Sequence, residues 1–161
     1  MEWANHRRWA RKFGIQNAVA DYVNIIIDVS DENRFPDGYL QNIERYASDI
    51  AAERGSESGN SGLSLAIVEE VKKHDAGRRQ TTRGALAAEC ILRYLEQKGE
   101  EYVMAWYLHH HLDYLHGQQS AESDLQNLIS GYEDKYPSAH SPVIEQFLLD
   151  NRAALADELA E

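Results

Sequence analysis

Two stretches of this sequence concentrate side chains that can hold a metal or move a proton. The first is His109-His110-His111-Leu112-Asp113-Tyr114-Leu115-His116. On a helix, His109, Asp113 and His116 stand at i, i+4 and i+7 and share one face, and His110 and Asp113, at i and i+3, can converge too. Imidazole and carboxylate at such spacings are how helical bundles hold divalent metals. His111 falls on the other side, with Leu108, Leu112 and Leu115. The bland alternative is a polar edge on an amphipathic helix. The second stretch is His74-Asp75-Ala76-Gly77-Arg78. Adjacent residues at a helix end point in diverging directions, so His74 and Asp75 can share one ion only if the helix loosens there, which Gly77 permits.

The order of these motifs resembles the HD superfamily of metal-dependent phosphohydrolases. HDAGR is similar to that family's HD-x-G-K/R signature. The stretches that follow, RGALAAECILRYL and EEYVMAWYLHHHLDYLHG, are similar to its next two helices, the second ending in a His pair. The likeness is best over residues 70–117. His6, in NHRRWARKFG, is similar to the isolated histidine of the family's first helix. The resemblance implies an all-α fold and a divalent ion, with Mn, Fe, Mg, Ni and Zn all admissible. It implies metal ligands at His6, His74, Asp75, His109, His110 and Asp113, with Asp124 as the other choice for the closing aspartate. Lys72 and Lys73 stand where the family usually has apolar residues.

The charge map agrees with a phosphate-bearing substrate. The chain carries net −11 over 161 residues, with 27 acids against 16 bases. Such a surface argues against bulk duplex DNA or an anionic membrane as the main partner. The bases are clustered: residues 1–13 sum to +3 and residues 72–83 to +4. In the phosphohydrolase reading, Lys73, Arg78, Arg79 and Arg83 neutralise phosphate, with Arg7 or Arg11 assisting, and Asp75 and Arg78 act in catalysis. The alternative for these bases is solvated helix ends. The acid-rich, lysine-poor composition is also common in salt-adapted proteins.

The elements that must position these residues are helical almost throughout. Apolar positions recur at 3.6-residue spacing, and period-2 alternation is not sustained. Eight helices are expected, over about 2–13, 16–29, 37–54, 63–73, 83–98, 100–116, 124–136 and 142 to the end. Gly14, Gly99 and Gly117 are placed to end helices, and Asp37, Thr81 or Thr82, Ser123 with Gln126, and Ser141 before Pro142 to start them. Residues 55–62, GSESGNSG, read as a flexible loop. The fold class is therefore all-α, a single-domain bundle of seven or eight helices.

Other chemistries find less support. One cysteine excludes an intramolecular disulfide and a zinc ribbon; Cys90 sits on an apolar stripe and reads as core. Trp3, Trp9 and Trp106 read as core or interface. Ala10, Gly14 and Val19 have helix-turn-helix spacing, but the following helix is apolar. No P-loop, dinucleotide fingerprint or G-x-S-x-G elbow is present. The longest apolar run is too short for a membrane span, and a cytoplasmic protein is expected. The reading is an HD-type phosphohydrolase acting on a nucleotide or a nucleic-acid phosphodiester. Its partner is a phosphate-bearing small molecule or nucleic acid, with no membrane, and there is room for a homodimer. The alternatives are a non-enzymatic all-α interaction module and, behind it, a DNA-binding regulator.

Overall fold

The computed structural model describes residues 1–54, 60–118 and 122–160. Among these the chain is all-helical: α1 Trp3–Phe13, α2 Asn17–Asp28, a 3-10 turn Glu32–Arg34, α3 Tyr39–Glu53, α4 Asn60–Val71, α5 Thr82–Lys98, α6 Glu100–Gln118, α7 Glu122–Lys135, α8 Ser141–Asp150 and α9 Arg152–Leu159. No described helix is long and apolar enough to cross a membrane. The expected last helix is two, because the chain breaks at Asn151, whose Nδ2 donates to the Phe147 carbonyl at 2.7 Å. Gly117 lies inside α6 rather than ending it. Of the expected loop, residues 55–59 lie outside the described residues, and α4 already begins at Asn60. The side chain of Ser123, the expected cap of α7, is likewise outside them.

The chain packs as two compact units, Met1–Asn17 with Met104–Glu161, and Ala18–Val103. In the second, α3, α4 and α5 pack on one another. Ile43, Ala47 and Ile50 of α3, Ile67 and Val71 of α4, and Ala87, Cys90, Ile91 and Leu95 of α5 are buried at helical spacing. Each large apolar side chain so buried contributes about 1.5–3 kcal/mol. The Cys90 thiol contacts the Ile43 carbonyl at 3.4 Å, and burial pushes its pKa up to about 12, so it is a core residue and no nucleophile. Val19, Val23, Ile26 and Ile27 of α2 are buried too. In the first unit α7, α8 and α9 pack together, with Trp9, Trp106, Leu108, Leu112, Leu125, Ile129, Leu148 and Leu155 buried.

Helix ends follow local chemistry. Gly14 (φ 100) closes α1, with Arg11 and Lys12 in the last turn where cations suit the dipole. Thr81 Oγ1 accepts from the Gly84 N–H at 3.0 Å and starts α5. Asp37 does not cap α3: Gly38 (φ 77) takes that place, and the Asn42 side chain bonds its carbonyl at 2.8 Å. Nor is Ser141 the cap of α8: it is the first helical residue, and its Oγ accepts from the Ser138 N–H at 2.8 Å.

Candidate metal centre

The HDAGR segment forms the turn between α4 and α5. Asp75 has φ 59 and Gly77 φ 84, so the chain turns through two left-handed residues. Asp is among the few side chains that accept that conformation, and glycine accepts it freely. Three contacts fix the turn. The Ala76 N–H donates to the Ile27 carbonyl at the end of α2, at 3.1 Å. The Arg78 carbonyl comes so close to Gly84 that a Cβ there would stand 1.9 Å away. Thr81 caps α5 immediately afterwards. Gly84 thus lets the turn lie against the first turn of α5.

The result brings His74 and Asp75 to Asp28, the last residue of α2. Each of the three offers one ligating atom, and these atoms all lie within 4.8 Å of one another. Two bonds of about 2.0–2.2 Å to a common ion reach donors at most about 4.4 Å apart, so these atoms are close to the spacing one ion needs. The donors are one imidazole and two carboxylates, a combination that suits divalent ions of the Mn, Fe, Ni, Zn or Mg kind. The His74 side chain is 66 % exposed and reachable from solvent. Its Nδ1 lies 3.2 Å from Asp75 Oδ2, and the Arg78 guanidinium lies 3.1 Å from the same oxygen.

Asp28 was not legible as a ligand from motif spacing, but a signal existed. A carboxylate as the last residue of an apolar helix meets the negative end of the dipole, so IIID ends on a residue that helix stability alone does not favour.

The bases around the turn are largely spoken for. Lys73 bonds Glu70 at 2.6 Å, and Lys72 bonds Glu32 at 2.9 Å. Arg78 is on Asp75. Arg79 is half-buried and Arg83, in the first turn of α5, is exposed.

The remaining expected ligands lie in the other unit and come together there. His6, His109 and His110 are 3 %, 3 % and 5 % exposed, so none is a solvent-facing polar edge. The His6 and His109 rings stack with centroids 3.9 Å apart. Both present Nε2 to one carboxylate: His6 to Asp113 Oδ1 at 3.1 Å, His109 to Asp113 Oδ2 at 3.2 Å. The Met1 amine is 2.8 Å from Oδ1. His110 stands edge-on to Trp106 and to His109. Burial pushes the Asp113 carboxyl up, but hydrogen bonds from His109 and His6 outweigh it and hold the group well below the usual carboxylate range. His6 is lowered, by burial first and by its His109 neighbour, against the pull of Asp113.

His116, expected on the face of His109 and Asp113, is exposed. Asp124 is exposed on α7. His111 is fully buried, with Nδ1 2.7 Å from Glu133 Oε1. Glu133 was missed, although it follows Leu125 and Ile129 at i+8 and i+4 and so stands on the apolar stripe of α7.

No family model, curated protein or solved structure matches the chain.

Proposed function

We propose that the chain is a divalent-metal phosphohydrolase whose metal-binding turn is Asp28, His74 and Asp75, acting on a nucleotide or a nucleic-acid phosphodiester. The observation that carries this reading is the convergence of those three donors within 4.8 Å at the HDAGR turn. A divalent ion held by such a set lowers the pKa of a bound water and polarises a phosphoryl oxygen. Asp28 and Asp75 supply the negative charge that draws the ion, and His74 supplies nitrogen from an accessible position. Arg78 is the base closest to the reaction: its guanidinium rests on Asp75 at 3.1 Å and its side chain is half-exposed. With Asp75 engaged by a metal ion, this guanidinium would be free to neutralise the substrate phosphate. Arg83, exposed one turn along, adds a second cation, and Lys73 and Arg79 edge the same turn.

The family resemblance also names His6, His109, His110 and Asp113, which gather in the other unit. Asp113 already has imidazoles on both oxygens, so it serves as a ligand only by giving one of them up. The reading rests on the turn and does not require that exchange.

A second reading, an all-α interaction module that has lost the ion, is favoured by one observation: Asp75 is satisfied by His74 and Arg78 without any metal. Hydrolysis of bis-p-nitrophenyl phosphate with added Mn²⁺ decides between them. The phosphohydrolase reading expects metal-dependent turnover, stopped by EDTA and lowered at least ~100-fold in His74→Ala and Asp28→Asn. Purified protein that neither takes up metal nor hydrolyses mono- or diesters leaves the interaction module.

A further inference from the structure

The first unit contains a groove unrelated to the HDAGR turn. It lies between α1 and α9, has a volume of about 300 Å³, and is lined by Arg8, Trp9, Lys12, Ala154, Asp157 and Glu158. That is the lower end of the range for small-molecule sites, so its occupant is small.

Its distinctive group is Glu158. The side chain is only 6 % exposed. Oε2 accepts from the Trp9 indole N–H at 2.7 Å and also pairs with Arg8. Oε1 is buried and has no hydrogen-bond partner among the described residues. Buried carboxylate oxygens are nearly always satisfied, so one without a donor calls for an explanation. The missing group is a donor, and a charged one answers the need best.

The other walls select the donor's chemistry. Lys12 places its ammonium over the Trp9 ring, 5.0 Å from the centroid, so this indole already attracts an alkylammonium. Asp157 adds a second carboxylate, and Ala154 leaves room for a methylene chain. An anion would meet Glu158 and Asp157. Arg8 is half-exposed, so its departure opens Glu158 to the groove.

We propose that the α1–α9 groove binds a small primary alkylammonium, with Glu158 as its counter-ion and hydrogen-bond acceptor and the Trp9 ring as its apolar wall. The ammonium comes either from a free amine or from a lysine side chain.

The test follows the Trp9 indole N–H by NMR, assigned with Trp9→Phe, because that proton sits on Glu158. n-Butylammonium chloride at low salt is expected to shift it saturably, with a midpoint below about 10 mM. Glu158→Gln should raise the midpoint at least ~10-fold. Ala154→Trp, which fills the groove and leaves Glu158 in place, should abolish the shift. Tetramethylammonium cannot donate a hydrogen bond and should bind far more weakly. A capped Gly-Lys-Gly peptide that binds more tightly than butylammonium identifies a protein lysine as the source, and one that binds more weakly identifies a free amine. No saturable shift, equal binding of tetramethylammonium, or an unchanged midpoint in both Glu158→Gln and Ala154→Trp overturns the proposal.

Discussion

The two His–Asp sets of this protein solve opposite problems. In the set around Asp113, two helices, α1 and α6, hold the side chains, and two buried, stacked imidazoles share a largely buried carboxylate. In the set around Asp75, a turn through two left-handed residues holds the side chains, and His74 stands open to solvent. Burial makes the first set costly to disturb, because its charged and polar groups have exchanged hydration for contacts with one another and with the Met1 amine. Exposure makes the second set cheap to disturb and accessible to a ligand. Residue types alone do not separate a set that holds a core together from one that can bind; surroundings do.

The comparison breaks most visibly at Asp113. Asp113→Ala removes the carboxylate from beside two buried imidazoles, and we expect a loss of about 3–5 kcal/mol in urea unfolding. A loss below 1 kcal/mol would mean that the buried set contributes no more than a surface pair.

The turn should feel a smaller insult. Gly84→Ala drives a methyl into the Arg78 carbonyl, which should cost about 1–3 kcal/mol by overpacking. Because the damage falls on the HDAGR turn, metal affinity should drop as well, a readout that ordinary core strain would not move.

Acid should separate the sets next, in chelator-treated protein. His6 is lowered in the folded state, so the unfolded chain binds its proton first. Stability should begin to fall as pH drops below about 6.5, and the loss is complete only below the lowered folded value. Asp113 is also lowered, so its contribution is present above the unfolded carboxylate value, near pH 4, and declines as pH falls below it. Urea midpoints measured from pH 8 to pH 3 check both arms, and Asp113→Asn should flatten the lower one.

The smallest stability effect belongs to His74. With its side chain mostly in water, His74→Ala should leave unfolding within about 0.5 kcal/mol of the parent. A large loss would place it in the structural set after all.

These differences also mark what the sequence could disclose. The stripes of α3 and α5 were legible because apolar spacing is local. The ends at Gly14 and Gly99 were legible because glycine has few competitors for that role, and the start of α5 was legible to within the pair Thr81–Thr82. The i, i+4 relation of His109 and Asp113 was legible because it, too, is local. The break at Asn151 was not, since Phe147, Leu148 and Leu155 keep helical spacing across it and the helix is ended by side-chain hydrogen bonds from Asn151 and Arg152 to the Phe147 and Leu149 carbonyls. Asp28 and Glu133 were hidden because their partners, at 74–75 and at 111, are set by tertiary packing. The exposure of His74 against the burial of His109 was hidden too, since both sit beside apolar helical residues.

The most direct test of the central claim is a Mn²⁺ titration of the purified protein beside His74→Ala and Asp28→Asn, with unfolding followed on the same samples. We predict saturable binding by the parent, at least ~100-fold weaker binding by both variants, and folded stability unchanged in His74→Ala. Equal binding in all three proteins, or none in any, would contradict a metal site at Asp28, His74 and Asp75.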